Sequence, residues 1–383
     1  MNIAVIGTGM TVFGERWETS PRALARDAVQ QALEDAGFDK KNVQALYVAN
    51  MLSGMLGMQG HLGALFAEEL GLSIPAFTVE GACASGGLAI HTAALSILSG
   101  EYETVLVLGV EKMTDHKPEQ VSSALMGAGS NEERLAGATF PGLYAILARS
   151  HMEAYGTTVK ELASVAVKNH YHASFNPKAQ YQKPISIESV LRSSCVADPL
   201  KLLDCSPVTD GAAAVILSKK STKDGIAIIA SQVATDTLGI AERKSLTTLA
   251  ATTEASQKAF AQAGVSLKDI HVAEVHDCFT IAEILALEDM GFVRKGEAGK
   301  RISEGAFTLG TAKQCVINTS GGLKACGHPV GATGVKQIVE ITDQLRGRCG
   351  KRQVAHANTG LTHNVGGTGA TAVVHILRKE TYA

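Results

Sequence analysis

Two stretches of this sequence can be laid over one another without a gap. Ala32–Asn50 (ALEDAGFDKKNVQALYVAN) aligns with Ala259–Asp277 (AFAQAGVSLKDIHVAEVHD), matching Ala32, Ala36, Gly37, Lys41 and Val48 to Ala259, Ala263, Gly264, Lys268 and Val275. Each copy reads as a helix ended by a glycine cap, a short polar turn and a buried strand. One such unit arises by chance in any α/β protein. Two in the same order, each followed by further matching elements, constrain the chain to a duplicated fold.

The pattern around these copies alternates strand with helix, as in layered α/β folds. In the first half, strands are expected at Ile3–Ile6, Ala45–Val48, the run ending at Val79, and Thr104–Gly109. Helices are expected at Ala23–Ala36, near His61–Leu70 and from Ser85. In the second half, strands are expected at Ala227–Ser231, Val272–His276, Cys315–Asn318, Val354–Asn358 and Ala370–Leu377. Helices are expected there at Thr253–Ala263, Ile281–Met290 and Gly334–Leu345. Residues 115–205 break the pattern with polar, turn-rich segments such as Asn176-Pro177-Lys178, which suggests an inserted loop lobe over a site. The expected division is 1–114 with 206–224 as the N-terminal half, 115–205 as the lobe, and 225–383 as the C-terminal half.

Composition narrows the function. Of 383 residues, 45% are hydrophobic and only 19% charged, which favours a large interior and burial of further surface in an oligomer. A net charge of −2 and 5% aromatic residues give no footing for nucleic acid or an acidic membrane surface. The seven cysteines form no CxxC pair, so neither a disulfide framework nor a zinc site is expected, and a reducing, cytoplasmic compartment is. The N-terminus lacks a basic leader, and no apolar run is long enough to span a bilayer.

Reactive side chains concentrate beside glycines in four places. In Val79-Glu80-Gly81-Ala82-Cys83-Ala84-Ser85-Gly86-Gly87, a lone cysteine sits at a strand-to-helix corner. There the free N–H groups and helix dipole are expected to favour a thiolate and to receive an oxyanion. The second place is His276-Asp277-Cys278-Phe279, at the strand end of the second copy. The third is Gly327-His328-Pro329-Val330-Gly331-Ala332-Thr333-Gly334, where proline holds His328 extended on a loop from which it can take a thiol proton. The fourth is His363-Asn364-Val365-Gly366-Gly367.

Taken in order, these motifs resemble those of the thiolase superfamily across essentially the whole chain. Ala82-Cys83-Ala84-Ser85-Gly86-Gly87 resembles its nucleophile loop, and Gly327-His328-Pro329 its histidine signature. His276-Asp277-Cys278-Phe279 resembles the sterol-carrier-protein-2-type and archaeal-type branches, as does Asp198–Pro207 followed by Thr209-Asp210-Gly211-Ala212. The resemblance implies a duplicated five-layered α-β-α-β-α fold. It implies an acyl-CoA C-acyltransferase that joins two acetyl-CoA molecules into acetoacetyl-CoA, or reverses this by thiolysis. Cys83 would carry the acyl group, His328 would activate it, His276 would help hold an oxyanion, and Cys278 would serve as the second acid/base. Backbone N–H groups of Cys83 and of Gly366 or Gly367 would form a second oxyanion hole. Common thiolases place the second cysteine near the C-terminus; here no cysteine follows Cys349, and His363 is left without a role. Coenzyme A thioesters would be substrates, with no metal or other cofactor. A homodimer or homotetramer is implied, and for the archaeal-type branch a complex with hydroxymethylglutaryl-CoA synthase through a small zinc-binding OB-fold protein, feeding mevalonate synthesis.

Plainer readings compete with these. Gly7-Thr8-Gly9 lacks the third glycine of a dinucleotide fingerprint, and position 12 is Val. Cys195, Cys205, Cys315, Cys326 and Cys349 read as structural, His91 as a hydrogen-bonded core residue, and His170 with His172 as part of an exposed polar loop. Two other function classes remain open. One is a β-ketoacyl or hydroxymethylglutaryl-CoA synthase-like acyltransferase, and the other a non-catalytic lipid-binding scaffold on the same fold.

Overall fold

The computed structural model describes residues 3–222, 224–313 and 315–379. The first half supplies β1 (Ala4–Met10), β2 (Ala45–Ala49), β3 (Ala76–Val79), β4 (Thr104–Glu111) and β5 (Gly211–Ser218), in the spatial order β3-β2-β4-β5-β1. The second supplies β6 (Ile226–Thr235), β7 (Val272–Glu274), β8 (Val316–Ile317), β9 (Thr359–Gly366) and β10 (Thr371–Lys379), in the order β8-β7-β9-β10-β6. Counted within each half, the two orders are the same. So are the directions. β2 runs parallel to β3 and β4 as β7 does to β8 and β9, while the remaining neighbours within each half are antiparallel. The halves join edge to edge where Ala4 and Val5 pair with Ala227 and Ile226.

The local reasons for these elements are the ones the alignment suggested. Ser20 caps the Pro21–Ala36 helix by accepting from the Ala23 N–H, proline occupies the first turn, and Gly37 ends it at φ 57°. Gly264 ends the equivalent Ala250–Ala263 helix at φ 63°. The strand β4, TVLVLGVE, is buried along its whole length, as expected of a strand covered on both faces.

Two helices, Ser85–Leu98 and Thr333–Arg346, touch strands of both halves and form the middle layer. Pro21–Ala36 and Leu62–Leu70 cover the first half from outside. Ala250–Ala263 covers β6 and β10, and Thr280–Asp289 packs beside it. The result is the five-layered arrangement. The middle helices cross glycine to glycine: a Cβ on Gly86 would lie 2.7 Å from the Gly334 nitrogen, and one on Gly334 only 2.2 Å from that of Gly87.

Three expectations need correction. Val354–Asn358 is not a strand; Gln344 holds Gln353 and Val354 through side-chain bonds, and pairing starts at Thr359. The strand β5 (GAAAVILS) was missed because its alanines carry little strand propensity. Residues 115–205 are helical more than loop-like, with Pro118–Leu125, Phe140–Tyr155 and Val159–Ala173 as main elements. His170 and His172 are consequently buried, not on an exposed loop. His172 donates from Nδ1 to the Asn318 carbonyl and accepts the Leu309 N–H at Nε2, which leaves it no lone pair for a metal.

Candidate active site

The corner after β3 is strained. Ala82, a non-glycine residue, takes a φ of 54°, and a short 3₁₀ turn over Ala82–Ala84 carries Cys83 into the Ser85–Leu98 helix. Ser85 closes the corner: its hydroxyl accepts from the Gly81 N–H and donates to the Ala82 carbonyl. Cys83 faces a cavity of about 190 Å³ that it shares with Tyr144, Cys205, Cys278, His328 and Gly367. The Cys83 sulfur and one ring nitrogen each from His276 and His328 lie within 4.8 Å of one another. Residues far apart in sequence therefore meet at one point.

The two imidazoles stand edge to face, 5.2 Å between centroids and 84° between planes, with both Nε2 atoms buried and, among the described residues, unpartnered. Their Nδ1 partners decide what each Nε2 offers. Nδ1 of His276 lies 3.3 Å from the Val365 N–H and 3.3 Å from the Asn364 amide nitrogen, both donors. It must accept, so the proton sits on Nε2. Nδ1 of His328 lies 2.7 Å from the Thr333 hydroxyl, whose single proton goes to the Pro329 carbonyl. It must donate, so Nε2 of His328 carries a lone pair. One ring is a hydrogen-bond donor and the other a base. With the Nε2 of His276 protonated, the trio offers a metal only two ligands, short of the usual protein set.

The supports are built from neighbouring motifs. The Asn364 amide nitrogen donates to the Cys83 carbonyl, and its oxygen accepts from the Gly87 N–H, so one side chain braces both nucleophile corner and donor histidine. Asp277, between His276 and Cys278, accepts from the N–H groups of Leu323 and Lys324, ahead of His328. Thr209 accepts the His328 N–H. His363 accepts the His276 N–H at 3.5 Å and bonds Thr252 through its other nitrogen, so it acts behind the site. Gly367 lines the same cavity as Cys83, and its N–H favours the charged form of that sulfur. A Cβ on Gly366 would lie 2.5 Å from the Gly81 carbonyl oxygen, so this glycine packs closely on the nucleophile corner.

The resting charge state differs from the expected thiolate. Burial, aided by the nearby Glu111 carboxylate, pushes the Cys83 thiol up to about 12 and outweighs the N–H groups at the helix start. Burial also raises the Cys278 thiol well above its ordinary value, and lowers His328 to about 3. The site rests as neutral thiols and neutral imidazoles. Cys205, read from sequence as structural, forms part of the cavity wall, its thiol directed to the Lys201 carbonyl. Asn364, Thr333 and Tyr144 were not anticipated. Asn364 was within reach, because the alternation Thr362-His363-Asn364-Val365 marks a strand leading into the glycines. All seven cysteines are free, and among the described residues no helix is long and apolar enough to cross a membrane.

Known proteins resemble this chain along almost its whole length. The family model "Thiolase, N-terminal domain" matches residues 3–221, and "Thiolase C-terminal domain-like" matches 232–379. The chain is 46% identical to an acetyl-CoA acetyltransferase of Methanothermobacter thermautotrophicus, covering 99% of this chain and 100% of the relative. It is also 46% identical to one of Methanocaldococcus jannaschii, over 98% of both. A chain of the solved Ltp2-ChsH2(DUF35) aldolase superposes with a TM-score of 0.86 at 25% identity, covering 100% of this chain and 98% of that one.

Proposed function

The chain belongs to the thiolase family, and on that premise we propose that it is an acyl-CoA C-acyltransferase condensing two acetyl-CoA molecules to acetoacetyl-CoA and coenzyme A, and running the reverse thiolysis. The observation that carries this is the Cys83, His276 and His328 cluster within 4.8 Å, with opposite tautomers on the two rings and Cys278 on the same wall. Naming of two full-length relatives as acetyl-CoA acetyltransferases supports acetyl as the acyl group.

The steps balance from a neutral resting state. Nε2 of His328 takes the Cys83 proton as the sulfur attacks the acetyl-CoA carbonyl. The His276 Nε2–H stands where it can meet an oxyanion. Coenzyme A leaves as a thiolate and takes its proton from Cys278, giving acetyl-Cys83, a Cys278 thiolate and a His328 imidazolium. A second acetyl-CoA enters, and Cys278 removes its α-proton. The carbanion attacks acetyl-Cys83, and the N–H groups of Gly367 and Cys83 serve the oxygen of that thioester. The Cys83 thiolate departs and recovers its proton from His328. The charges arise only during turnover, which suits a site whose burial disfavours them at rest. No electron or metal enters the balance, so coenzyme A thioesters act as substrates without a cofactor.

Intact-protein mass spectrometry after incubation with acetyl-CoA tests the reading. We expect one acetyl group on Cys83, absent in Cys83→Ala, and acetylation without condensation in Cys278→Ala. No adduct on the wild-type chain sinks the proposal, while condensation surviving Cys278→Ala points instead to a synthase-like acyltransferase. We also propose a homodimer or homotetramer, supported by the half-exposed edge strand β3 with Phe77, in a cytoplasmic setting, supported by the seven free cysteines. A complex with hydroxymethylglutaryl-CoA synthase through a small OB-fold protein, feeding mevalonate synthesis, finds support in the neighbour named jointly with ChsH2(DUF35). Stoichiometric co-purification with the synthase tests it, and a homo-oligomer with no affinity for the synthase overturns it.

A further inference from the structure

The helical segment between the two parts of the first half does more than roof the cavity. From its Phe140–Tyr155 helix it sends Tyr144, one of the largest fully buried side chains, to the reacting thiols. The Tyr144 ring stacks on Phe279 at 4.6 Å between centroids and 29° between planes. Phe279 follows Cys278 directly, so this stacking sets the tyrosine hydroxyl in register with the second thiol. That hydroxyl donates to the Gly367 carbonyl at 3.0 Å and lines the same cavity as Cys278, near enough for each group to feel the other's charge. Arg243 secures the next carbonyl of the same turn, Thr368, and its hydroxyl. The turn therefore stays in place if Tyr144 shifts its proton to another acceptor.

We propose that Tyr144 is a positioning residue for the carbon–carbon bond-forming half of the reaction: its hydroxyl turns from the Gly367 carbonyl to the Cys278 sulfur whenever that sulfur is a thiolate. The need is evident from the surroundings. Cys278 is buried beside Cys83 and the Asp277 carboxylate, all of which disfavour its charged form, while the Tyr144 hydroxyl and the Phe279 N–H favour it. A phenol beside a thiolate in a dry cavity makes a charge-assisted hydrogen bond, stronger than the one it leaves at a neutral carbonyl. No proton is transferred by Tyr144; it remains a phenol throughout. Attack of Cys83 on the first thioester draws on His328 and precedes this bond, because Cys278 gives up its proton only after coenzyme A has left as a thiolate.

The inference rests on the acyltransferase reading above, and the two fail separately. In Tyr144→Phe, acetylation of Cys83 by acetyl-CoA should keep its rate within about twofold. Condensation from the pre-acetylated enzyme in single turnover should fall about tenfold, and its rise with pH should move up by about one unit, the equivalent of that factor. Replacement of Tyr144 by a ring-fluorinated tyrosine, a stronger donor of the same shape, should move the rise to lower pH. Equal losses in both half-reactions, or an unmoved pH profile in both variants, overturn the role of Tyr144 and leave the acyltransferase reading intact. Absence of wild-type acetylation would instead remove the premise.

Discussion

Glu111 accepts the backbone N–H of Gly331 at 3.0 Å, and through this buried contact the end of β4 grips the loop that follows His328. The same carboxylate takes N–H bonds from Asn50, Met51 and Leu52. A glutamine cannot accept at both ends. Below pH 4.5, Glu111→Gln should turn its amide group onto such donors and cost about 2 kcal/mol of stability, read as a lowered unfolding midpoint, with the gap to wild type shrinking as pH rises. Burial raises the Glu111 carboxyl to about 7 from an ordinary 4.5. A raised folded value means that its contribution is fully present below 4.5 and lost as pH climbs through 7. The stability curve of the variant should be flatter than wild type across that window.

Cys83 should behave as a thiol at neutral pH. With the thiol pushed up to about 12, its alkylation by iodoacetamide should keep rising with pH and show no plateau near neutrality. A plateau reached by pH 7 would restore the thiolate that the helix start suggested. Peptide mapping of the alkylated residue separates Cys83 from Cys205 and Cys278.

His276 is required as a donor. His276→Ala removes one oxyanion contact and should lower kcat by about a hundredfold or more, the scale typical of such donors. His276→Asn, which keeps an N–H, should recover part of that loss, whereas a variant as poor as alanine would remove the donor role.

Asn364 sets the proton of His276 from behind. Asn364→Asp keeps the acceptor for the Gly87 N–H but presents lone pairs to Nδ1 of His276 and to the Cys83 carbonyl. The imidazole proton should then move to Nδ1, with activity falling as far as in His276→Ala while the fold survives. Nitrogen NMR of the labelled ring reports the tautomer directly.

A methyl group at Gly334 has nowhere to go, since it would lie 2.2 Å from the Gly87 nitrogen, a backbone atom that cannot yield. Gly334→Ala should cost about 3 kcal/mol, at the overpacking end of measured core substitutions, or leave the chain insoluble. Denaturant titration of the purified variant checks this.

Much of this was legible in the sequence where a local signal coincided with the tertiary role. Gly37 and Gly264 end equivalent helices because their left-handed backbone is needed there, and the alignment exposed both. Cys83, Cys278, His276 and His328 carried motif signals; the fold brings Cys83, Cys278 and His328 to one cavity and sets His276 beside Cys83 and His328. What stayed hidden depends on partners distant in sequence. Tyr144 is an ordinary helix aromatic until Phe279 and Gly367 are placed against it. The raised thiols follow from burial, which a helix-start argument cannot weigh. The alanines of β5 and the capped helix starting at Thr158 had legible but weak signals, outvoted by their turn-rich surroundings.

The identical strand order of the two halves has a consequence for where the chemistry resides. Cys83 opens the buried helix of one copy, and His328 stands just ahead of the corresponding helix of the other. Nucleophile and base thus come from sister units and meet only at the seam. Neither unit by itself owns a reaction; severing or loosening that seam would leave two intact scaffolds, each holding one half of a proton transfer.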